Sequence, residues 1–174
     1  MINNEVEEEL IIFKKVIDIT MSTADLHAHH LSILRNCIQP LMPLNEEKIL
    51  SFRQPDYANT DAFVMRFIKL QDLMGTKLFG LVLDWAEEGP YVSFLDKLYA
   101  LEKLGCVTDA QSWIKVRELR NFLSHDYPDN YERVAKFFNQ AYELAPFLML
   151  TLDNLKKYSE ETTKRKGEFL RNDE

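Results

Sequence analysis

The sequence predicts an all-α protein, an antiparallel up-and-down helical bundle of about five helices with an N-terminal helical extension. Three observations point there. Apolar residues recur every three or four positions over long stretches, the period of a helix with one face in a core. Only 5 Gly and 6 Pro interrupt the 174 residues, so chain-breaking positions are few. The gaps between periodic runs are mostly short, which joins neighbouring helices antiparallel. A hydrophobic content of 46% can build a core, and 28% charged residues suit a soluble chain.

The first helix is expected to start near Asn3 or Asn4, capping residues followed by Glu5, Glu7, Glu8 and Glu9 at the positive end of the dipole. Val6, Leu10, Phe13 and Ile17 make its apolar stripe. Thr20, Ser22 and Thr23 weaken it and allow a kink before Leu26, Ile33 and Leu34. His27, His29 and His30 form a cluster that reads as an exposed helix face, because a closed metal site needs about four ligands and only Asp25 lies near. Pro40, Pro43 and Pro55 then frame a loop or short helical turn over 39–59.

Thr60 or Asp61 caps the next helix, which runs to about Glu88 before Gly89-Pro90 ends it. Phe63, Phe67, Leu70, Met74, Leu78, Leu81 and Trp85 make its stripe, and Val64, Met65, Ile68, Phe79 and Val82 widen it beyond one face. Such a helix is buried on several sides, as a central helix or part of a subunit interface. Phe94, Leu95, Leu98, Leu101 and Leu104 mark a third helix stopped at Gly105, and Asp109 opens a fourth. The last long helix spans about Asn130–Tyr158 with Pro146 expected to kink it. The chain thus divides into 1–59, a helix and Pro-containing loop packed on or extending the bundle; 60–158, the helical bundle; and 159–174, a polar, flexible tail.

Cys37 and Cys106 are isolated and make no metal or disulfide framework, which fits a reducing cytoplasm. The acidic N-terminus is unlike a secretory signal, and no apolar run reaches membrane-spanning length. A net charge of −7 disfavours broad nucleic-acid binding, so any RNA contact is local. One local positive zone exists, at Lys115, Arg117 and Arg120.

These cations lie on the fourth helix, within Trp113–Tyr131. With Arg120 at the origin of a helical wheel, Ser124, Arg117, Asn121 and His125 fall within roughly 140° of it, at about 100° per residue. Val116, Leu119, Phe122 and Leu123 take the opposite arc. Pro128 restricts Tyr127 to extended geometry and ends the helix around His125 or Asp126, where the dipole favours a cation. Read from spacing alone, this polar arc is a solvated surface.

The string R-N-x-x-x-H-x-Y, from Arg120 through Asn121 and His125 to Tyr127, resembles the HEPN superfamily. Preceded by Trp113 and followed by Pro128 and another helix, it is similar within that superfamily to the HepT-like toxins, whose signature is R-x4-H-x-Y. The resemblance covers residues 60–158; residues 1–59 are longer than it leads one to expect. It implies a homodimer that brings two Arg/His motifs into one cleft, metal-independent cleavage of RNA, and a nucleotidyltransferase-type antitoxin as partner. It further implies that Tyr127 is adenylylated by that antitoxin.

Cleavage of RNA by its own 2′-hydroxyl needs a base, an acid and cations around the phosphorane. Histidine is the side chain that changes charge near neutrality, so His125 takes the base or acid role and its twin in a second subunit the other. Arg120 would hold the phosphate bidentately, with Arg117 a second cation. Asn121 would orient the imidazole or the phosphate, and Ser124 is a lesser substrate contact. No cofactor and no metal are expected. Two other classes stay open: a non-catalytic nucleotide-binding or substrate partner of a nucleotidyltransferase, and a purely structural helical interaction module.

Overall fold

The computed structural model describes residues 2–125 and 130–172, with side-chain environments for 8–125 and 130–167. The protein is an all-α helical bundle, and no strand occurs among the described residues. Its helices are α1 (Ile2–Ile38), α2 (Glu46–Leu50), α3 (Gln54–Leu73), α4 (Phe79–Trp85), α5 (Phe94–Lys103), α6 (Ala110–Leu123) and α7 (Tyr131–Asn172). Two compact units make up the chain. One holds Met1–Ala24, Leu73–Ala110 and Thr151–Glu174; the other holds Asp25–Asp72 and Gln111–Leu150.

Several boundaries differ from those the sequence suggests, each for a local reason. α1 is uninterrupted through Thr20 and Thr23, whose hydroxyls donate to the carbonyls of Val16 and Ile19 one turn back. α3 starts at Gln54, before the expected cap at Thr60 or Asp61. Pro55 sits in its first turn, where a missing N–H costs nothing. Asp56 accepts from the Arg53 amide at 2.9 Å, which seats that start. Thr60 is then an interior residue whose hydroxyl bonds back to Asp56 and Tyr57. Between α3 and α4 the run passes through a π-helical turn, Met74–Leu78, which contains Gly75. α7 continues past Tyr158 to Asn172, where a polar tail was expected. Ser159 and Thr162 are buried, so they carry on the stripe of Leu152 and Leu155 with small polar side chains.

In the first unit, Ile17, Met21, Phe79, Val82, Leu98, Leu101 and Val107 are buried. Trp85 stacks on Phe13 and donates its Nε1–H to Thr163 at 3.2 Å. α5 opens with a capping box between Ser93 and Asp96 and closes at Gly105, whose φ of 75° is the left-handed cap geometry.

In the second unit, Phe63, Phe67, Leu70, Trp113, Val116, Leu119, Phe138 and Leu148 form the core. Arg35 donates to the Tyr142 carbonyl at 3.1 Å and lies 4.2 Å from its ring centroid. Asn139 on α7 exchanges hydrogen bonds with the Leu44 backbone in both directions, at 2.7 and 2.9 Å. That pair fixes the segment before α2, which Asn45 caps through the Lys48 amide. α2 is thereby held where Ile49 and Phe52 can face α3.

Candidate functional site

α6 has the two faces its sequence predicts. Trp113, Val116, Leu119 and Phe122 are buried, while Lys115, Arg117, Asn121, Ser124 and His125 are exposed. Phe122 anchors the helix end by stacking on Phe137 with ring centroids 3.9 Å apart, and Arg133 covers it at 5.0 Å. The helix stops at Leu123, two residues before the expected end. The Ser124 hydroxyl donates to the Asn121 carbonyl at 2.9 Å, and the His125 amide reaches the Phe122 carbonyl at 3.2 Å. These bonds occupy terminal carbonyls and carry the chain out of the helix. His125 therefore leaves from a turn, not from the last helical position.

Arg120 is where sequence reasoning falls short. Its Nε and Nη2 donate to the two oxygens of Asp72, at 2.8 and 2.7 Å, a fork-on-fork pair with α3. The hydrogen bonds that Arg120 donates to Asp72 hold it above its ordinary pKa; burial opposes them, and the charge of Asp72 adds to them. Of a guanidinium's five N–H groups, two go to Asp72, and Nη1 lies 3.4 Å from the Asn121 side-chain oxygen. Donors on the Nη edge thus remain directed away from the carboxylate. Asp72 also offsets Arg120's charge, so the positive zone of α6 is weaker than its sequence implies. Asp72 is 48 positions away and carries no motif signal.

Ser124 and His125 line a groove of about 910 Å³ in the second unit. α3 contributes Tyr57, Asp61, Val64, Met65, Ile68 and Lys69 to its lining. Phe122 and Leu123 of α6, Tyr131, Val134 and Phe138 of α7, and Ile49 and Phe52 complete it. Arg120, Asn121 and Arg117 are not among the groove's lining residues. The motif thus splits into a histidine and serine on the groove and a guanidinium pinned beside it. Tyr127, the expected modification site, lies outside the described residues.

The histidine cluster on α1 is not wholly exposed. His27 is partly buried, and its Nδ1 receives the Arg66 guanidinium at 3.0 Å, which keeps that nitrogen an acceptor. Burial first, then Arg66, Lys69 and His30, lower its pKa from the ordinary 6.5. Among the described residues no group of three or more His, Cys, Asp or Glu is placed to hold a metal ion. Burial pushes the Cys106 thiol up to about 12, which makes it inert. Among the described residues no helix is long and apolar enough to cross a membrane. Comparison with protein-family models, curated proteins and solved structures finds no match.

Proposed function

We propose that this chain is a HEPN-type endoribonuclease, the toxin of a toxin–antitoxin pair, acting as a homodimer in the cytoplasm. The observation that carries the reading is the R-N-x-x-x-H motif itself, with His125 on a groove and a bidentately oriented Arg120 one turn before it. In the reaction a base removes the proton of an RNA 2′-hydroxyl, whose oxygen bonds to phosphorus. The bond from phosphorus to the 5′-oxygen breaks, and an acid protonates that leaving oxygen. The products are a 2′,3′-cyclic phosphate and a 5′-hydroxyl. His125 of one protomer serves as base and that of its partner as acid. The Nη edge of Arg120 holds the phosphate, with Arg117 and Asn121 beside it and Ser124 at the sugar.

A surface for the second copy is available on α1. Ile12, Ile19, Leu26 and Ile33 are exposed at 62, 68, 52 and 48%, spaced seven residues apart, with Val16 exposed between the first two. Recurrence every seven residues keeps these side chains on nearly one face of the helix, drifting by about 20° per heptad. The partner antitoxin is a nucleotidyltransferase that adds AMP to Tyr127, setting a phosphate beside the motif cations and blocking RNA. Purified protein should cleave single-stranded RNA in EDTA, and His125→Ala should not.

The Arg120–Asp72 pair favours one rival reading, in which a half-neutralised guanidinium binds a nucleotide without cutting. Saturable AMP or ATP binding with no RNA cleavage at any protein concentration would establish that rival instead.

A further inference from the structure

The groove beside His125 is more than a route to the motif. Among the described residues its lining is mostly apolar and aromatic, with Asp61, Lys69, Ser124 and His125 among its polar members. Tyr57 is 45% exposed, although it stands on a concave wall and contacts Phe52 edge-on at 5.4 Å between centroids. Asp61 lies one helical turn beyond Tyr57 on the same face of α3, and Lys69 two turns further. Among the described residues the groove therefore offers an exposed aromatic ring, one carboxylate acceptor, and two basic side chains, Lys69 and His125. That combination matches an unpaired nucleotide: a flat apolar base, polar base edges, and an anionic phosphate.

We infer that this groove is a nucleobase subsite that stacks an unpaired RNA base on Tyr57 and reads its edge through Asp61. The inference rests on the nuclease reading only for its orientation, with the sugar–phosphate toward His125. A carboxylate accepts hydrogen bonds and cannot donate them, so it favours bases with an edge amino group. Cytosine, adenine and guanine carry one; uracil offers only its ring N3–H, flanked by two carbonyl oxygens that repel a carboxylate.

Size and charge both suit this occupant. A cavity of 910 Å³ falls within the range of small-ligand sites, roughly 300–1,000 Å³. Lys69 and His125 in its lining suit a phosphate better than they suit an apolar helix face.

Binding is measured by fluorescence anisotropy with short single-stranded oligonucleotides that are 2′-O-methylated and so cannot be cleaved, in oligo-C, oligo-A and oligo-U series. The expected result is tighter binding of C and A than of U. Tyr57→Ala should weaken all three, by about 5- to 150-fold for one lost stacking contact. Asp61→Asn, an exposed change on α3 that disturbs no core packing, should bring C, A and U to similar affinity. Circular dichroism of each variant checks that the helices persist. Unchanged binding in both variants overturns the subsite, as does displacement of bound oligonucleotide by amphipathic helical peptides alone. His125→Ala separates the two ideas. Lost cleavage with indifferent Tyr57 and Asp61 variants leaves the nuclease and removes the subsite. Tyr57-dependent binding without cleavage by any form leaves the subsite and removes the nuclease.

Discussion

Asp72 shows how one residue changes the reading of a motif. It pairs with Arg120 through both oxygens, and the two side chains are 37 and 32% exposed, so the pair is worth only about 0–1 kcal/mol to the fold. Its consequence is orientation. Asp72→Asn should shift the melting temperature by no more than about 4 °C. It should strengthen non-specific RNA binding by unmasking one cation, and slow cleavage because Arg120 is no longer aimed. Faster cleavage in that variant would show that Asp72 restrains Arg120 instead of positioning it. His27 supplies a separate test by pH. Its pKa in the folded protein is lowered below 6.5, so the unfolded chain binds the proton more readily. Stability therefore rises with pH up to about 6.5 and falls below it, as unfolding takes up a proton. His27→Asn should flatten melting temperature against pH just below 6.5; an unchanged slope would assign that dependence to other groups.

At the scale of elements, the sequence reads well where one helix decides the outcome. The two-faced character of α6 and the stop at Gly105 follow from spacing and backbone preference alone. Gly105→Ala tests the latter. Its φ of 75° is strained for a side chain, and nothing lies near the added methyl, so the cost of roughly 1–2 kcal/mol is purely conformational. A drop in melting temperature of about 2–8 °C is expected, and none at all would mean the cap relaxes freely. What spacing does not reveal is where non-local groups decide. The π turn at Met74–Leu78 is a shift of hydrogen-bond register that leaves the apolar period almost intact. The length of α7 was hidden because Ser159 and Thr162 are polar yet buried. The groove needs walls from α3, α6 and α7, so no single stretch of chain contains it.

For the molecule as a whole, the proposed chemistry requires two motifs, and the exposed apolar residues of α1 are the surface proposed for a second copy. Replacing Ile19 and Leu26 together with Glu should give a monomer by light scattering and abolish cleavage while leaving the helical signal unchanged. A dimer that survives those changes would place the interface elsewhere. The central claim is that Arg120 and His125 cleave RNA without a metal, and one assay meets it directly. Purified wild-type, Arg120→Ala and His125→Ala proteins are incubated with end-labelled single-stranded RNA in excess EDTA, and the product termini are identified by mass spectrometry. The wild type is expected to give 2′,3′-cyclic phosphate and 5′-hydroxyl ends, with rates lower by roughly 10²–10⁴-fold in His125→Ala and most activity also lost in Arg120→Ala. Cleavage that appears only with added Mg²⁺ or Mn²⁺, or persists at full rate in His125→Ala, contradicts it.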